Sequence, residues 1–146
     1  MRIQDVMCND IVSVSPEAHV SEAREMLRTN AIHHLVVIDR KRVVGVLSDR
    51  DLADRGEDLR VSEVMTRSVA TIPPGASLRQ AAGKMEGRTI GCLPVMEKGR
   101  LAGIVTTSDL LRALSRGTHP GPSPERYILR KRGARKRPVG KALVWR

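Results

Sequence analysis

The sequence predicts an α/β protein of two β-α-β-β-α repeats, packed with pseudo-two-fold symmetry and followed by a basic C-terminal tail. Three observations carry this expectation. The chain matches itself without gaps at a shift of 58 positions, Ile3–Leu52 falling on Val61–Leu110. Inside each copy, apolar residues at helical spacing give way to short β-branched runs bounded by turn residues. The net charge of +10 on the 146-residue chain lies almost wholly beyond residue 114.

The self-match keeps apolar, turn and acidic positions in register together. Identities include Val6/Val64, Met7/Met65, Pro16/Pro74, Ala23/Ala81, Gly45/Gly103, Asp51/Asp109 and Leu52/Leu110. Each copy opens with a short polar lead-in, Ile3–Met7 or Val61–Met65, and a brief extended run, Ile11–Val14 or Val69–Ile72. Pro16 and Pro74 break the chain before a helix over Val20–Thr29 or Leu78–Glu86, where Val20, Ala23, Met26 and Leu27 mark one apolar face. Two β-branched runs follow, Leu35–Ile38 and Val43–Leu47, around the turn Asp39-Arg40-Lys41-Arg42, matched by Glu97-Lys98-Gly99-Arg100. A second helix opens at Ser48 or Thr106. The repeats give domains over 1–56 and 57–115, with a linker and tail over 116–146.

A unit of about 55–60 residues buries only about 60% of its unfolded surface and is marginal alone. Each small sheet therefore needs cover, and the other copy is the natural source. Such packing leaves two equivalent clefts where a ligand fits.

Composition narrows the function classes. Phe is absent and the aromatics are Tyr127 and Trp145, so residues 1–114 must build an aliphatic core. No run of 18 apolar residues occurs, and the N-terminus lacks an apolar signal stretch, which points to a cytoplasmic protein with no membrane span. Cys8 and Cys92 then read as reduced thiols. The four histidines and two cysteines show no metal-ligand spacing, and no paired base and nucleophile or oxyanion loop can be assembled, so neither a metal site nor an enzyme is expected. No cofactor is required. Met7, Met26, Met65, Met85 and Met96 fall at repeat core positions and read as packing.

The most informative segments are Gly45-Val46-Leu47-Ser48-Asp49-Arg50-Asp51-Leu52 and Gly103-Ile104-Val105-Thr106-Thr107-Ser108-Asp109-Leu110. A hydroxyl followed three residues later by Asp is a capping box, which by itself accounts for both residues at a strand-to-helix turn. The same geometry suits a ligand, because a helix N-terminus attracts phosphate and a carboxylate one turn along accepts two ribose hydroxyls. The two readings are compatible.

The duplicated unit with its glycine-strand-[Ser/Thr]-x-x-Asp-Leu ending resembles the CBS domain family over roughly residues 1–115. The pair is similar to the regulatory modules of cystathionine β-synthase, IMP dehydrogenase and the γ subunit of AMP-activated protein kinase. It also resembles small stand-alone bacterial CBS-pair proteins, in which the string Ser48–Leu52 is typical. The resemblance implies a non-enzymatic Bateman module, usually a homodimer, that senses AMP, ADP, ATP or S-adenosylmethionine. It implies that Asp51 and Asp109 hold ribose hydroxyls and that Ser48 and Thr106 lie near phosphate. It further implies that backbone around Ser13-Val14 and Leu35-Val36, or Thr71-Ile72 and Leu93-Pro94, frames the adenine. His33 and His34 match the stretch where the kinase subunit places basic residues on phosphate, although two partly exposed residues at a strand entrance are the plainer reading. Gly91 and Cys92 replace them in the second copy, with Arg88 three residues upstream as a substitute.

The tail stands outside the resemblance. Residues 1–114 carry 16 Lys/Arg against 15 Asp/Glu, whereas residues 115–146 carry 10 against Glu125 alone. After the Pro/Gly-rich connector Gly117–Pro124 come Arg130, Lys131, Arg132, Arg135, Lys136 and Arg137, a block suited to nucleic acid. The other reading is a docked tail, through Tyr127-Ile128-Leu129 and Leu143-Val144-Trp145.

Overall fold

The computed structural model describes residues 1–116 and the backbone of residues 143–145. Tyr127-Ile128-Leu129 and the basic block Arg130, Lys131, Arg132, Arg135, Lys136 and Arg137 lie outside the described residues. The first repeat contains α1 (Ile3–Val6), β1 (Ile11–Val14), α2 (Val20–Asn30), β2 (His34–Asp39), β3 (Arg42–Ser48) and α3 (Asp49–Leu52). The second contains α4 (Val61–Val64), α5 (Leu78–Arg88), β4 (Cys92–Glu97), β5 (Arg100–Thr106) and α6 (Thr107–Arg116), and β6 (Leu143–Trp145) comes last. Among the described residues no helix is long and apolar enough to cross a membrane.

Helix α2 forms where Val20, Ala23, Met26 and Leu27 recur at three- and four-residue intervals, and all four are buried. It stops at Ala31, whose φ of 51° is left-handed and whose N–H reaches back to Leu27 and Arg28 carbonyls. Strands β2 and β3 pair antiparallel across Arg40-Lys41, both at positive φ, the two-residue turn whose twist suits a hairpin. Strand β1 adds in parallel to β2, with Ser13 opposite Val36 and Val14 opposite Val37. Strand β6 pairs antiparallel on the outer edge of β1, placing Leu143–Trp145 opposite Ser13–Ile11. Val12, Val14, Leu35, Val37 and Leu47 turn one sheet face onto α2 and Leu52. Each such side chain contributes about 1.5–3 kcal/mol by leaving water.

The second repeat builds the same core from Ile72, Ala81, Met85, Leu93, Val95, Val105 and Leu110. Here α5 opens with a full capping box, in which Gln80 N–H donates to Ser77 Oγ at 3.1 Å and Ser77 N–H to Gln80 Oε1 at 2.8 Å. The expected extended run Val69–Ile72 shrinks to a single parallel bridge, Ile72 to Val95. Pro94 is the cause. Ile72 donates to the Pro94 carbonyl at 3.1 Å and accepts from Met96 N–H at 3.0 Å. The next ladder bond needs an N–H at position 94, which proline lacks. The helices after the sheets also differ, since α3 ends before Asp54, at φ 60°, while α6 continues through Leu111–Arg116.

The compact units do not coincide with the sequence repeats. One unit holds residues 11–69 with β6, and the other holds residues 1–10 with 70–116. The lead-in of each copy is thus hydrogen-bonded to the body of the other. Ile3 N–H donates to the Ala76 carbonyl at 2.9 Å, and Val61 N–H to the Ala18 carbonyl at 2.8 Å. The lead-ins then run beside the outer strands, Cys8 bridging Ile104 and Thr66 bridging Val46. This approach requires the glycines of the repeat. A Cβ on Gly45 would lie 2.6 Å from Met65 Sδ and 3.0 Å from the Thr66 carbonyl oxygen, and one on Gly103 would lie 2.8 Å from Met7 Sδ and 3.0 Å from the Cys8 carbonyl oxygen.

Candidate functional site

Strand alternation gives each sheet a second face, away from its helices. In the first unit Leu35, Val37 and Leu47 belong to the core, so His34, Val36, Val46 and Ser48 point the other way. Cross-strand pairing sets His34 beside Ser48, Val36 beside Val46, and extends the face to Ser13 on one side and Thr66 on the other. Val36 is fully buried and Ser13 is 1% exposed, although neither belongs to the helix-side cluster. In the second unit the corresponding face carries Cys92, Pro94, Ile104 and Thr106, with Cys8 opposite Ile104.

Both faces end at a strand-to-helix junction with the same hydrogen-bonded pair. Asp51 Oδ2 accepts from Ser48 N–H at 2.8 Å and from Ser48 Oγ–H at 3.1 Å, and Asp51 N–H lies 3.3 Å from Ser48 Oγ. Asp109 Oδ2 accepts from Thr106 N–H at 2.8 Å and Thr106 Oγ1–H at 2.9 Å, with Asp109 N–H 3.3 Å from Thr106 Oγ1. The capping reading therefore holds in both copies. In each pair only Oδ2 does this work, which leaves Oδ1 of half-buried Asp51 to a further donor. Asp109 is more enclosed, at 4% exposure, and its Oδ1 lies 3.5 Å from Arg112. The carboxylates are alike in bonding and unlike in surroundings.

The two histidines part company. His34 faces Ser48, whereas His33 turns to the helix side, its Nδ1 2.7 Å from Asp49 Oδ2 and its carbonyl accepting from Asp49 N–H at 3.1 Å. His33 and Asp49 there form part of the rim of an open cleft between α2 and α3, floored by Leu27, Ile32 and Leu52. On the same rim the Arg28 guanidinium donates to Glu25 and holds its carboxyl below the ordinary value, and Arg24 pairs with Glu57 at 3.2 Å. The structure brings His34, Ser48, Asp51 and Val36 to one junction and leaves His33 outside it. In the second copy the Gly91 carbonyl accepts from Thr107 N–H at 3.0 Å, Cys92 lies opposite Thr106, and Arg88 is exposed in the last turn of α5.

Val14 and Ile72 face the cores, so only their backbone can meet a ligand. Pro94 is buried on the outer face, opposite Ile104. Ser13 and Thr66 are side chains that sequence reasoning misses, since it singles out Ser13 for its backbone alone. The signal for Ser13 exists, because a residue paired with Val36 shares its face. Met26 and Met85 are core residues, while Met7 and Met65 pack over the two glycines. Among the described residues no group of three or more His, Cys, Asp or Glu is placed to hold a metal ion.

Comparison with known proteins agrees with this architecture. The CBS domain matches twice, at residues 3–58 and 61–116. A CBS domain-containing protein of Dictyostelium discoideum is 33% identical over 138 residues, covering 82% of this chain and 95% of that protein. An inosine-5'-monophosphate dehydrogenase of Korarchaeum cryptofilum is 35% identical over 122 residues, 82% of this chain, but the chain spans only 25% of that enzyme. Among solved structures, the CBS domain pair of protein MJ0100 in complex with 5'-methylthioadenosine and S-adenosyl-L-methionine superposes with a TM-score of 0.75 at 26% identity, covering 80% of this chain and 97% of that one. Two matched domains, two repeats of strands and helices and a doubled capping pair lead to one assignment: the chain belongs to the CBS domain family, as a tandem pair of the Bateman type.

Proposed function

We propose that this chain is a non-enzymatic regulatory module that binds an adenosine-containing ligand at its strand-to-helix junctions. The doubled hydroxyl-carboxylate pair carries the reading, Ser48 with Asp51 and Thr106 with Asp109. Each carboxylate is already oriented by two donors through Oδ2; the second oxygen of half-buried Asp51 can accept a ribose hydroxyl, while at Asp109 a ligand would share Oδ1 with Arg112. Val36 in one unit and Pro94 in the other lie buried on the outer sheet faces, so in this reading the adenine meets the backbone around them and near Val14 and Ile72. In this reading His34 meets the phosphate, which its pairing with Ser48 supports. Cys92 takes its place in the second unit, so the first junction suits a nucleotide and the second a less charged ligand such as 5'-methylthioadenosine or S-adenosylmethionine. The MJ0100 pair, which holds those two compounds, supports the ligand class. The test is mass spectrometry of small molecules released from purified protein, followed by titration of each compound found. An adenosine derivative is the expected result, and recovery of unrelated compounds alone would contradict it.

A second reading rests on the ten basic residues against one acid in residues 115–146. In it the tail, including Arg130, Lys131, Arg132, Arg135, Lys136 and Arg137, binds nucleic acid and the CBS pair tunes that binding. DNA retention that falls steeply with salt and vanishes on deleting residues 117–146 would favour this reading.

A further inference from the structure

Strand β1 lies between β2 and β6 in the first sheet. Successive residues of a strand send their N–H and C=O groups to opposite edges, in the plane of the sheet. On one edge of β1 these groups serve the parallel ladder to β2, where Ser13 is opposite Val36 and Val14 opposite Val37. On the other edge they serve β6, with Ile11 opposite Trp145, Val12 opposite Val144 and Ser13 opposite Leu143. An adenine that reads the backbone of β1 must use this second edge, because β2 closes the first. Strand β6 begins at Leu143, one residue short of Val14, and runs along that same edge.

The second unit handles its edge differently. The counterpart of β1, residues 69–72, joins β4 through the single bridge from Ile72 to Val95, and among the described residues that sheet holds β4 and β5 alone. Thr71 stands one repeat after Ser13, and its carbonyl accepts from Lys84 Nζ at 2.5 Å. A lysine on an edge carbonyl discourages strand addition. Met26 holds the position of Lys84 in the first unit and is buried in the core, so no such lysine guards β1. Strand addition therefore suits β1 and not its counterpart.

We infer that β6 is a built-in competitor for the first junction, the C-terminal strand and the adenine of an adenosine ligand taking the outer edge of β1 in turn. This rests on the ligand reading above and adds the regulation of that site. The strand has only three residues, and so short a pairing is weak enough for a small ligand to displace. Residues 117–142 join α6 to β6 and include the basic block of residues 130–137. That segment is held at both ends while β6 is paired, and at α6 alone once β6 is displaced. Ligand binding at the first junction is thereby coupled to the tail.

The experiment compares the full chain with a chain carrying Leu143→Pro and Val144→Pro, by titration calorimetry with AMP and 5'-methylthioadenosine. Adjacent prolines remove two N–H groups, one of which faces β1, so the pairing is broken whichever residue supplies the bond. Asp109→Ala in both chains confines binding to the first junction, and Asp51→Ala confines it to the second. Affinity at the first junction should rise about three- to tenfold in the proline chain, the gain expected when a competitor that fills most of the sites is removed. Deleting residues 143–146 should give the same gain, and affinity at the second junction should not change. Trp145 is the only tryptophan, so its emission follows the strand. Saturating ligand should move the parent's emission to that of the proline chain and speed amide exchange at Leu143–Trp145. Equal affinity in both chains with unchanged Trp145 emission would overturn the competition and leave the ligand reading standing. Weaker binding in the proline chain would overturn it as well, by making β6 part of the ligand site. Absence of binding in both chains at millimolar ligand would remove the ligand reading, and this proposal with it.

Discussion

Val46 and Thr66 exchange two backbone hydrogen bonds, Val46 N–H donating to the Thr66 carbonyl at 3.1 Å and Thr66 N–H to the Val46 carbonyl at 2.9 Å. Cys8 and Ile104 repeat this exchange in the other unit at 2.8 and 3.0 Å. Through these bridges the lead-in of each repeat becomes an edge of the other repeat's sheet. Gly45 and Gly103 allow the close approach.

The first prediction concerns those glycines. In Gly45→Val the Met65 thioether can swing aside, but the Thr66 carbonyl must retreat. Overpacking of this kind costs about 1–3 kcal/mol. Thermal denaturation of Gly45→Val and Gly103→Val should show comparable losses, and amide exchange at Thr66 or Cys8 should accelerate in the matching variant. Parental stability and an intact bridge in the Gly45→Val chain would contradict the packing argument.

Thr89 gives a change in the opposite direction. It ends α5 at φ 54°, and a β-branched residue is poorly suited to left-handed backbone. Its side chain is exposed. Thr89→Gly should therefore stabilise the protein by about 1 kcal/mol, since relief of the backbone exceeds the added freedom of the unfolded chain. A calorimetric melting point at or below the parent's would show that the strain is not there to relieve.

Much of this structure is legible in the sequence. The 58-residue register locates both hairpins, both core faces and both hydroxyl-carboxylate pairs, because each depends on local spacing. The exchange of lead-ins is not legible. Ile3 and Val61 head their own repeats in the register, and nothing in spacing tells that their amides bond Ala76 and Ala18. Pro94 reads from sequence as a ligand neighbour, while its effect on the ladder depends on knowing which N–H the parallel pairing needs. His33 and His34 read as a pair, yet consecutive residues at the start of a strand face opposite ways, and pairing with Ser48 selects His34.

That separation makes a pH prediction. An imidazole gains charge as pH falls through about 6.5. Binding of a phosphate-bearing ligand at the first junction should therefore strengthen from pH 8 to pH 6. The response should vanish in His34→Ala and persist in His33→Ala, and 5'-methylthioadenosine, which has no phosphate, should show none. Titrations of Asp51→Ala and Asp109→Ala variants isolate the two junctions, and equal pH responses in both would remove His34 from the site.

The tail offers a structural test through β6, which covers the outer edge of β1 from Ile11 to Ser13. Deleting residues 143–146 should leave the melting point nearly unchanged and speed hydrogen exchange at Ile11–Ser13. Deleting residues 117–146 should do the same and remove nearly all the net positive charge, leaving a folded CBS pair. Unchanged exchange at β1 would mean that β6 adds no protection there.

The ribose role of Asp51 and Asp109 is the centre of the functional account, and titration calorimetry with AMP, ATP, S-adenosylmethionine and 5'-methylthioadenosine tests it most directly. Asp51→Ala removes charge-assisted hydrogen bonds worth about 1.5–3 kcal/mol, so affinity at the first junction should fall roughly ten- to a hundredfold. Asp109→Ala should do the same at the second, and the double variant should bind neither class of ligand. Asp51→Asn keeps an oxygen for the Ser48 donors, so it should retain most of the helix cap while still losing affinity. Parental affinity in the alanine variants, with only a lower melting point, would reduce both aspartates to helix caps and contradict the account.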